Sequence, residues 1–513
     1  MSDREEISRL NGDLIHNILT RLPALSFAAA TCVNKTWYHI CREILSRPKL
    51  AAALSLNPSL MDAVAEVLDR VLSKPIRPDF AIACISEDFG LNLAHNLLAE
   101  RLGAKTPLVT HISNGVMGTD ILTDELKEVQ WDYFDYKGPH PREYNSYGNE
   151  NKGIVLVVGY LPGVKVDAIP LIHSKKEPEI TMADSDKFIR EIKAFTAAIS
   201  GNEFPDAIVM FGDRNSDVNS IVTKMDHAMP KETAIVGDAG GCFIFNSLNY
   251  MIARQANSYA LDAVALVFAK DQNKSPGKTQ FHVVMAGGLI PFGPQFEVID
   301  VGPRPSRKGS WLCAKVEGFG VILNIEAVWE TMKDMVDDDE SRDLYIAVTQ
   351  HRRYVSRRVD TSLSFYHVTG GEGPLLFIDG MGVKAGDSFM FYHRDMDTAY
   401  ENSAISYDKL EVLKDTICGK SDINGGGVFG GLIFSCHSRG KSYFGHTNFD
   451  IFTFSLAFPL VPVAGMFCKG EIGHGSSRFI NDEEYREQCP EHCSRHACSA
   501  VYLAMSYHPP PSK

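Results

Sequence analysis

The sequence lacks the net positive charge that is typical of nucleic-acid-binding proteins. It has 51 Lys and Arg residues against 64 Asp and Glu residues, which gives a net charge of −13 and excludes an overall basic surface. With 44% hydrophobic and 22% charged residues, the composition is that of a folded globular protein. At about 150 residues per domain, the length predicts roughly three domains. We therefore expect a chain of several globular units and no nucleic-acid partner.

A membrane segment and a disulfide framework are also missing. One charge-free run of 18 residues, 451–468, contains Pro459, Pro462 and Gly465, which break helices. We predict two buried strands joined by a turn there, and no membrane contact. The 11 cysteines are odd in number and mostly scattered, and residues 1–6 are polar, without the apolar segment of a secretory signal. We expect reduced thiols and a cytoplasmic or nuclear protein.

Familiar catalytic motifs and tandem repeats are absent from the sequence. There is no G-x-S-x-G or H-E-x-x-H motif, and the histidines are dispersed, so we predict a non-catalytic chain without a cofactor. Residues 425–430 match G-x-G-x-x-G but precede an apolar strand, whereas a dinucleotide site needs a helix there. No leucine-rich or other short repeat follows the first fifty residues.

The first fifty residues, called here the N-terminal module, have the apolar spacing of three short helices. Pro23 ends the first helix, a second follows at 27–33, and a third contains Trp37 and ends before Pro48. Three helices of this length bury too little apolar surface to be stable alone. The module must therefore rest on the body of the chain or on a partner. The spaced residues of the first helix are Leu14, Ile15, Ile18, Leu19 and Leu22.

The body of the chain alternates between strands and helices after a helix that begins near Asn57-Pro58. One strand–helix–strand unit spans 78–115, and a second spans 205–240. After a polar boundary at 270–278, short strands with frequent Gly and Pro predominate. The pattern predicts a mixed fold, α+β and α/β.

The N-terminal module resembles an F-box. The family signature is Leu-Pro, a helix with paired aliphatic residues, a second Leu-Pro, and Val-Cys-Lys-x-Trp. In this chain Asn11 stands where proline is usual, and Asn34 stands where cysteine is usual. The matching segments are Leu10-Asn11, Asp13-Leu14-Ile15, Ile18-Leu19, Leu22-Pro23 and Val33-Asn34-Lys35-Thr36-Trp37.

The F-box resemblance implies that these helices bind a Skp1-type adaptor and, through it, a cullin. Each buried aliphatic side chain contributes about 1.5–3 kcal/mol, so a handful of anchors offsets the cost of ordering the module. The alternative is a helical cap that serves only the body of the chain. The expected adaptor-binding residues are Leu10, Leu14, Ile15, Ile18, Leu19, Leu22, Pro23, Val33 and Trp37.

Residues 78–475 resemble the paired FIST domains (F-box and intracellular signal transduction). The segments IFSCHSRG at 433–440 and GMFCKGEIG at 465–473 are similar to the family forms FSCNGRG and GFFCNGEIG. His437-Ser438 replaces Asn-Gly in the first segment, and Lys469 replaces Asn in the second. Both segments end predicted strands, and the resemblance implies a FIST body in two parts.

The two motif segments predict a pocket for a small polar ligand or a substrate. If the strand-end loops are neighbours, a guanidinium and a carboxylate meet two thiols there. The structural alternative is that the cysteines pack as small apolar residues and that the arginine pairs with the glutamate. The residues concerned are Cys436, Arg439, Cys468 and Glu471.

A Cys/His cluster near the C-terminus has zinc-type ligands at an unusual spacing. Its three cysteines are separated by three and four residues, and no second pair follows. A strand at 499–506 would draw Cys498 into a sheet. We predict an exposed insertion without metal, and the residues that zinc would otherwise use are Cys489, His492, Cys493 and His496.

These observations predict four units along the chain. They are an F-box at 1–50, a linker helix at 51–77, a FIST N-type α/β domain at 78–272 and a FIST C-type domain at 273–513. The resemblance implies a substrate-recognition subunit of an SCF (Skp1-cullin-F-box) ubiquitin ligase that directs an unidentified protein to proteasomal degradation. The alternative is a small-molecule sensor that the F-box tethers.

Overall fold

A computed structural model shows two β-sheets stacked face to face, with helices on both outer faces. Side chains from both sheets share one apolar core. Strands from the C-terminal half of the chain form a closed β-barrel. Leu10 and Cys489 lie outside the described residues. The structure describes residues 11–131, 152–177, 180–248, 259–272, 277–304, 309–335, 343–353, 359–418, 426–475 and 492–510.

The N-terminal module folds into helices with a small core of its own. The helices are α1 (Gly12–Leu19), α2 (Ala24–Ala30) and α3 (Lys35–Ile44), which confirms the predicted helical module. Their shared buried side chains are Ile15, Leu19, Phe27, Ala30, Cys41 and Ile44.

The N-terminal module rests on the body of the chain. The Ala24 amide donates to the Leu72 carbonyl at 2.9 Å, and the Tyr160 hydroxyl donates to the Leu45 carbonyl at 2.8 Å. The Leu45 side chain packs against both the module core and a core of the body. The body therefore supplies the support that the small module needs.

The segment predicted as a linker helix at 51–77 is part of the body, so that prediction is wrong in part. It contains α4 (Leu60–Val71), but β1 (Lys49–Ser55) precedes it and pairs antiparallel with β6 (Ile154–Tyr160). The strand was missed because its sequence, KLAAALS, lacks the β-branched and aromatic residues that favour strands. Pairing with β6 overrides this weak local preference.

The larger sheet has ten strands and contains both predicted strand–helix–strand units. β2 runs parallel to β3, and β8 runs parallel to β9. α5 (Leu91–Leu102) connects the first pair, and α7 (Val218–Ala228) connects the second. The order is β1-β6-β2-β3-β9-β8-β10-β7, with β2 (Phe80–Ile85), β3 (Leu108–Ile112), β7 (Val164–Ser174), β8 (Ala207–Asp213), β9 (Ala234–Asn246) and β10 (Tyr259–Lys270).

Helices α4 and α5 cover one part of the outer face of this sheet. α7 and α6 (Met182–Ser200) cover the other part. The mixed α/β prediction is confirmed.

The smaller sheet has six strands from both halves of the chain. Its order is β11-β22-β18-β19-β4-β5, and α9 (Met396–Cys418) and α11 (Phe449–Ala457) cover its outer face. Conversely, two late strands, β20 and β21, join the larger sheet through β9. The strands concerned are β4 (Gly115–Thr119), β5 (Leu126–Gln130), β11 (Lys278–Ala286), β18 (Gly427–Cys436), β19 (Val463–Cys468), β20 (Glu471–Gly475), β21 (His492–His496) and β22 (Ala500–His508).

The charge-free run at 451–468 is a helix followed by a strand, and not two strands. α11 ends before Pro459, and β19 follows it. A uniformly apolar run carries no period that distinguishes a buried helix from a buried strand. The helix packs closely against β18 because Gly431 has no side chain. Any side chain at that position would collide with the Phe454 ring. Within the described part of the chain, no helix is long and apolar enough to cross a membrane.

The barrel follows the order β12-β13-β16-β15-β14-β17. Its interior is a packed core in which the rings of Phe296, Phe389 and Phe391 contact one another. α8 (Ile325–Met335) lies against it, and the short α10 (Lys441–Phe444) follows β18. Its strands are β12 (Leu289–Pro303), β13 (Ser310–Val316), β14 (Leu344–Arg353), β15 (Val359–Glu372), β16 (Leu375–Asp379) and β17 (Ser388–Arg394).

Candidate adaptor surface and strand-end site

The N-terminal module exposes large apolar side chains to solvent. Leu14 is 48% exposed and Ile18 is 41% exposed, and because they lie four residues apart on α1, they share one face of that helix. Leu25, Val33 and Tyr38 are exposed to 74%, 56% and 45%. Such a concentration of exposed apolar side chains in a short module is typical of an interaction surface.

The structure divides the expected adaptor-binding residues into two groups. Leu14, Ile18, Pro23 and Val33 are exposed. Ile15 and Leu19 are buried in the core of the module, and Leu22 and Trp37 pack against that core. The exposed group is available to a partner, whereas the buried group holds together the helices that present it.

The two asparagines that depart from the F-box signature both begin helices. The Asn11 side chain accepts a hydrogen bond from the Asp13 amide at 3.4 Å, and the Asn34 side chain accepts one from the Trp37 amide at 2.9 Å. Asparagine is among the preferred residues at a helix N-cap. The two departures therefore preserve the helix starts of the module.

The strand ends that carry the two motif segments are neighbours in the smaller sheet. β18 and β19 run parallel, and Cys436 lies opposite Cys468 in the register. The Ser438 hydroxyl donates to the Cys436 sulfur at 3.1 Å. Cys436 is 5% exposed, and Cys468, Arg439 and Glu471 are 0% exposed. A ligand arriving from solvent would reach these side chains only after a rearrangement.

Arg439 pairs with Asp450, which sequence reasoning missed, and not with Glu471. Arg439 Nη2 lies 2.7 Å from Asp450 Oδ1, and Nε lies 2.9 Å from Oδ2. Although burial disfavours the charged guanidinium, the Asp450 carboxylate raises the pKa of Arg439 above its usual range. The only signal for Asp450 in the sequence is its position as the last charge before the apolar run. The pair is structural, because both partners are buried.

Asp450 joins several elements of the smaller sheet. The Ser435 hydroxyl donates to its carboxylate at 2.5 Å, and the Tyr502 hydroxyl lies 3.5 Å from it. Nearby, Glu128 Oε1 accepts from the Ile451 amide at 2.7 Å. Burial, together with repulsion from Asp450, raises the pKa of Glu128 to about 8. Glu128 is therefore mostly protonated at neutral pH.

Glu471 and Cys468 are both held in their neutral forms by burial. Burial raises the pKa of Glu471 well above its usual range, and Cys436 raises it further. The Ser499 hydroxyl donates to Glu471 Oε2 at 2.8 Å. Burial likewise raises the pKa of the Cys468 thiol well above its usual range, and a protonated thiol is a poor nucleophile. This arrangement suits packing between the sheets better than capture of a charged ligand.

A buried histidine and aspartate near these residues were also missed. His111 Nε2 lies 3.4 Å from Asp238 Oδ2, without a hydrogen bond to it. Burial lowers the pKa of His111 to about 3 and raises that of Asp238 to about 6. His111 lies in β3 and Asp238 lies in β9. They are 238 − 111 = 127 residues apart, so no local sequence signal joins them.

The described part of the C-terminal Cys/His cluster has other partners. His492 Nδ1 lies 2.7 Å from Asp226 Oδ2, and the Cys493 thiol is buried and lies 3.8 Å from the Ile235 carbonyl. His496 Nε2 lies 3.0 Å from the Gly473 carbonyl. Among the described residues, no three His, Cys, Asp or Glu side chains are grouped to hold a metal ion.

Comparison with known proteins agrees with the geometry of the N-terminal module. The F-box domain family matches residues 7–48, which contain α1, α2 and α3. The chain is also 33% identical over 519 aligned positions to the F-box/LRR-repeat protein At5g63520 of Arabidopsis thaliana. The alignment covers 99% of this chain and 95% of that protein.

The name of this relative mentions leucine-rich repeats, and the described part of the present chain contains none. Its strands form two stacked sheets and a barrel, whereas leucine-rich repeats stack one short unit on the next. The similarity extends over nearly the whole length of both proteins, including the N-terminal module. The chain therefore belongs to the same family of F-box proteins as this Arabidopsis relative.

Proposed function

We propose that this protein is a substrate-recognition subunit of an SCF-type ubiquitin ligase. The N-terminal module binds a Skp1-type adaptor, which connects it to a cullin, and the body binds the protein to be ubiquitinated. The chain itself carries out no chemical step. It accelerates ubiquitin transfer because it raises the effective concentration of the target near the charged ubiquitin carrier.

The observation that carries this proposal is the exposed apolar surface of the F-box match. Leu14 and Ile18 present one face of α1 to solvent, while Ile15 and Leu19 of the same helix fill the module core. A helix that serves only as a cap on the body would not need a second apolar face. The second face is what an adaptor would cover.

A double variant, Leu14→Asp with Ile18→Asp, tests adaptor binding. Two aliphatic contacts together contribute about 3–6 kcal/mol, so we expect the affinity for a purified Skp1-type adaptor to fall at least about a hundredfold. The affinity is measured by calorimetry on the full chain. Because both side chains are exposed, the thermal unfolding of the body should not change.

A matched control introduces a charge at an exposed leucine of the body. Leu122 is 82% exposed, and Leu122→Asp should leave adaptor affinity unchanged. Full adaptor binding by the double variant would contradict the proposal, as would an equal loss in the control.

We also propose that the body is a FIST body, with the N-type part at 78–272 and the C-type part at 273–513. The two motif segments support this, because they end β18 and β19 at the centre of the smaller sheet. The parts exchange strands, since β4 pairs with β19 and β20 pairs with β9. A target protein would therefore meet one continuous structure.

The adaptor-deficient double variant also identifies targets. A receptor that binds its target but not the ligase should accumulate that target, so proteins co-purified with the double variant should be enriched over those co-purified with the unmodified chain. Proteasome inhibition should remove this difference. Enrichment that persists unchanged under inhibition would contradict the degradation role.

A further inference from the structure

A cleft lies at the junction of the larger sheet and the barrel. Its walls come from the segment after β8, the start of α7, the loop after β16 and the turn between β19 and β20. Ligands of α/β proteins commonly bind beyond the carboxyl ends of the strands, and β8 ends here. None of the four motif residues discussed above lines this cleft. The polar and charged residues that line it include Arg214, Asp217, Asn219, Asp379, Lys469 and Arg495.

The charges of the cleft favour an anion. Arg214, Lys469 and Arg495 come from three separate segments and face two carboxylates, Asp217 and Asp379, so the lining carries 3 − 2 = +1 charge. Arg495 Nη2 donates to the Lys469 carbonyl at 2.9 Å, which fixes its guanidinium against the wall. Lys469 is the position at which the FIST motif has Asn, and this chain therefore adds a cation there.

The Asp217 carboxylate is the N-cap of α7. Its Oδ1 accepts from the Ser220 amide at 3.2 Å, and its Oδ2 accepts from the Ser220 hydroxyl at 2.5 Å. The positive end of the dipole of this 11-residue helix faces the cleft and adds to the attraction for an anion.

A buried oxygen of Asn219 that is unpartnered in the described part of the chain independently indicates a ligand. Asn219 is 4% exposed and lines the cleft. Its amide contacts the Tyr366 hydroxyl, but Oδ1 has no hydrogen-bond partner among the described residues. A buried acceptor without a donor costs free energy. A ligand with a hydroxyl group would satisfy it.

The size of the cleft limits the ligand to a few atoms. The cavity volume is about 40 Å³, which is room for about three water molecules. We propose that the cleft binds a small oxyanion that also carries a hydroxyl group, such as hydrogen phosphate or a short hydroxycarboxylate. The arginines and the lysine bind the oxyanion, and Asn219 Oδ1 accepts from the hydroxyl.

Calorimetric titration of the full chain with phosphate, glycolate and sulfate tests the proposal. Hydrogen phosphate and glycolate each carry a hydroxyl, whereas sulfate has the shape of phosphate without that donor. We expect sulfate to bind at least about tenfold more weakly than the better of the other two, which is the effect of about one hydrogen bond to a buried group. Comparing phosphate with glycolate decides which oxyanion the cleft takes. Equal binding of sulfate, or no binding of any of the three, would overturn the proposal.

Two variants locate the binding in the cleft. Arg214 is exposed, so Arg214→Gln should fold normally and weaken binding about tenfold. Lys231, an exposed cation before the start of β9 and outside the cleft lining, provides the control, and Lys231→Gln should bind as the unmodified chain does. Asn219→Ala should remove the preference over sulfate.

Binding that Arg214→Gln leaves intact would overturn the assignment. The site is independent of adaptor binding, because the double variant at Leu14 and Ile18 should titrate normally. Failure of one proposal therefore does not affect the other.

Discussion

Two asparagines of the N-terminal module show how a departure from a family signature can keep the same local structure. Asn11 and Asn34 cap α1 and α3 through their side-chain oxygens. The F-box signature has other residues at these positions, so the capping bonds belong to this chain. Since the module is small, each bond is a substantial fraction of its stability.

We predict that Asn34→Ala destabilises α3 by about 1 kcal/mol, because the Trp37 amide loses its acceptor. Amide hydrogen exchange of residues 35–44 measures this, and exchange should become about fivefold faster. Asn34→Ser should restore most of the protection, since serine caps helices about as well. Equal exchange in the Ala and Ser variants would contradict a capping role.

A buried carboxyl group makes the stability of the body depend on pH. Burial and the Asp450 charge raise the pKa of Glu128 to about 8 from an ordinary value of 4.5. Between these values, the folded chain keeps a proton that the unfolded chain releases. The contribution of Glu128 to the free energy of unfolding is therefore fully present below pH 4.5 and is lost as the pH rises towards 8. The free energy of unfolding falls by up to about 1.4 kcal/mol per pH unit in this range.

Glu128→Gln should reduce the change in unfolding free energy with pH, because the glutamine side chain is neutral in both the folded and the unfolded state. Its oxygen can still accept a hydrogen bond from the backbone amide of Ile451. Urea unfolding between pH 5 and pH 8 measures the slope, which should be smaller in the variant than in the unmodified chain. Glu125→Gln, at an exposed carboxylate just before β5, is the control and should leave the slope unchanged. Equal slopes of unfolding free energy against pH in all three chains would contradict a raised pKa at Glu128.

At the scale of elements, the Arg439–Asp450 pair joins the end of β18 to the start of α11. The guanidinium also donates to the Ser403 hydroxyl of α9 at 3.2 Å and to the Cys498 carbonyl before β22 at 3.4 Å. One side chain thus connects both covering helices with two strands of the smaller sheet. Because Arg439 is fully buried among these partners, its guanidinium is not open to a ligand from solvent.

We predict that Asp450→Asn destabilises the chain by about 3–5 kcal/mol, because it leaves a buried guanidinium without its counter-charge. The double variant with Arg439→Met should be less destabilised than Asp450→Asn alone, since it removes the unpaired charge. Urea unfolding midpoints give both values. Glu297→Gln breaks the half-exposed pair with Lys315 and should cost no more than about 1 kcal/mol. Similar losses for the two single variants would contradict the buried pair.

The sequence predicted the elements whose residues are close together in the chain. β2, α5 and β3 follow one another within 33 residues, from Phe80 to Ile112, so apolar periodicity and turn residues were sufficient. The exchanged strands were not predictable. Gly465 pairs with Met117, a separation of 465 − 117 = 348 residues, and nothing in either segment specifies the other.

The candidate site was predicted only in part for a similar reason. The predicted pocket depended on the two strand ends being neighbours, and Cys436 does lie opposite Cys468. The partner of Arg439 was missed because the sequence shows Asp450 only as the last charged residue before an apolar run. The open cleft was missed because its cations, Arg214, Lys469 and Arg495, are brought together from three distant segments.

At the scale of the whole molecule, strand exchange makes the body one cooperative structure. β4 and β5 from the first half complete the smaller sheet, and β20 and β21 from the second half extend the larger one. Cutting the chain near 272 would therefore leave unpaired strand edges in both fragments. The body that is proposed to bind the target and the proposed anion cleft consequently belong to one folded unit.

The docking of the N-terminal module on this folded unit is testable through one of its hydrogen bonds. Tyr160 lies in β6, and its hydroxyl donates to the Leu45 carbonyl just after α3. Tyr160→Phe removes this bond while keeping the ring, at a cost of about 0.5–1.5 kcal/mol. We expect amide exchange in residues 12–44 to become faster while exchange in β2 and β3 stays unchanged.

The comparison with a second tyrosine determines whether this effect belongs to docking. Tyr400 lies on α9 and is 38% exposed, so Tyr400→Phe should leave exchange in the module unchanged. Adaptor affinity of the Tyr160→Phe chain should also be retained, because Leu14 and Ile18 remain exposed on α1. A module that exchanges equally in the two variants would show that the Tyr160–Leu45 hydrogen bond does not hold it. The Ala24–Leu72 hydrogen bond and the packing of the Leu45 side chain would then have to set the orientation of a bound adaptor relative to the body.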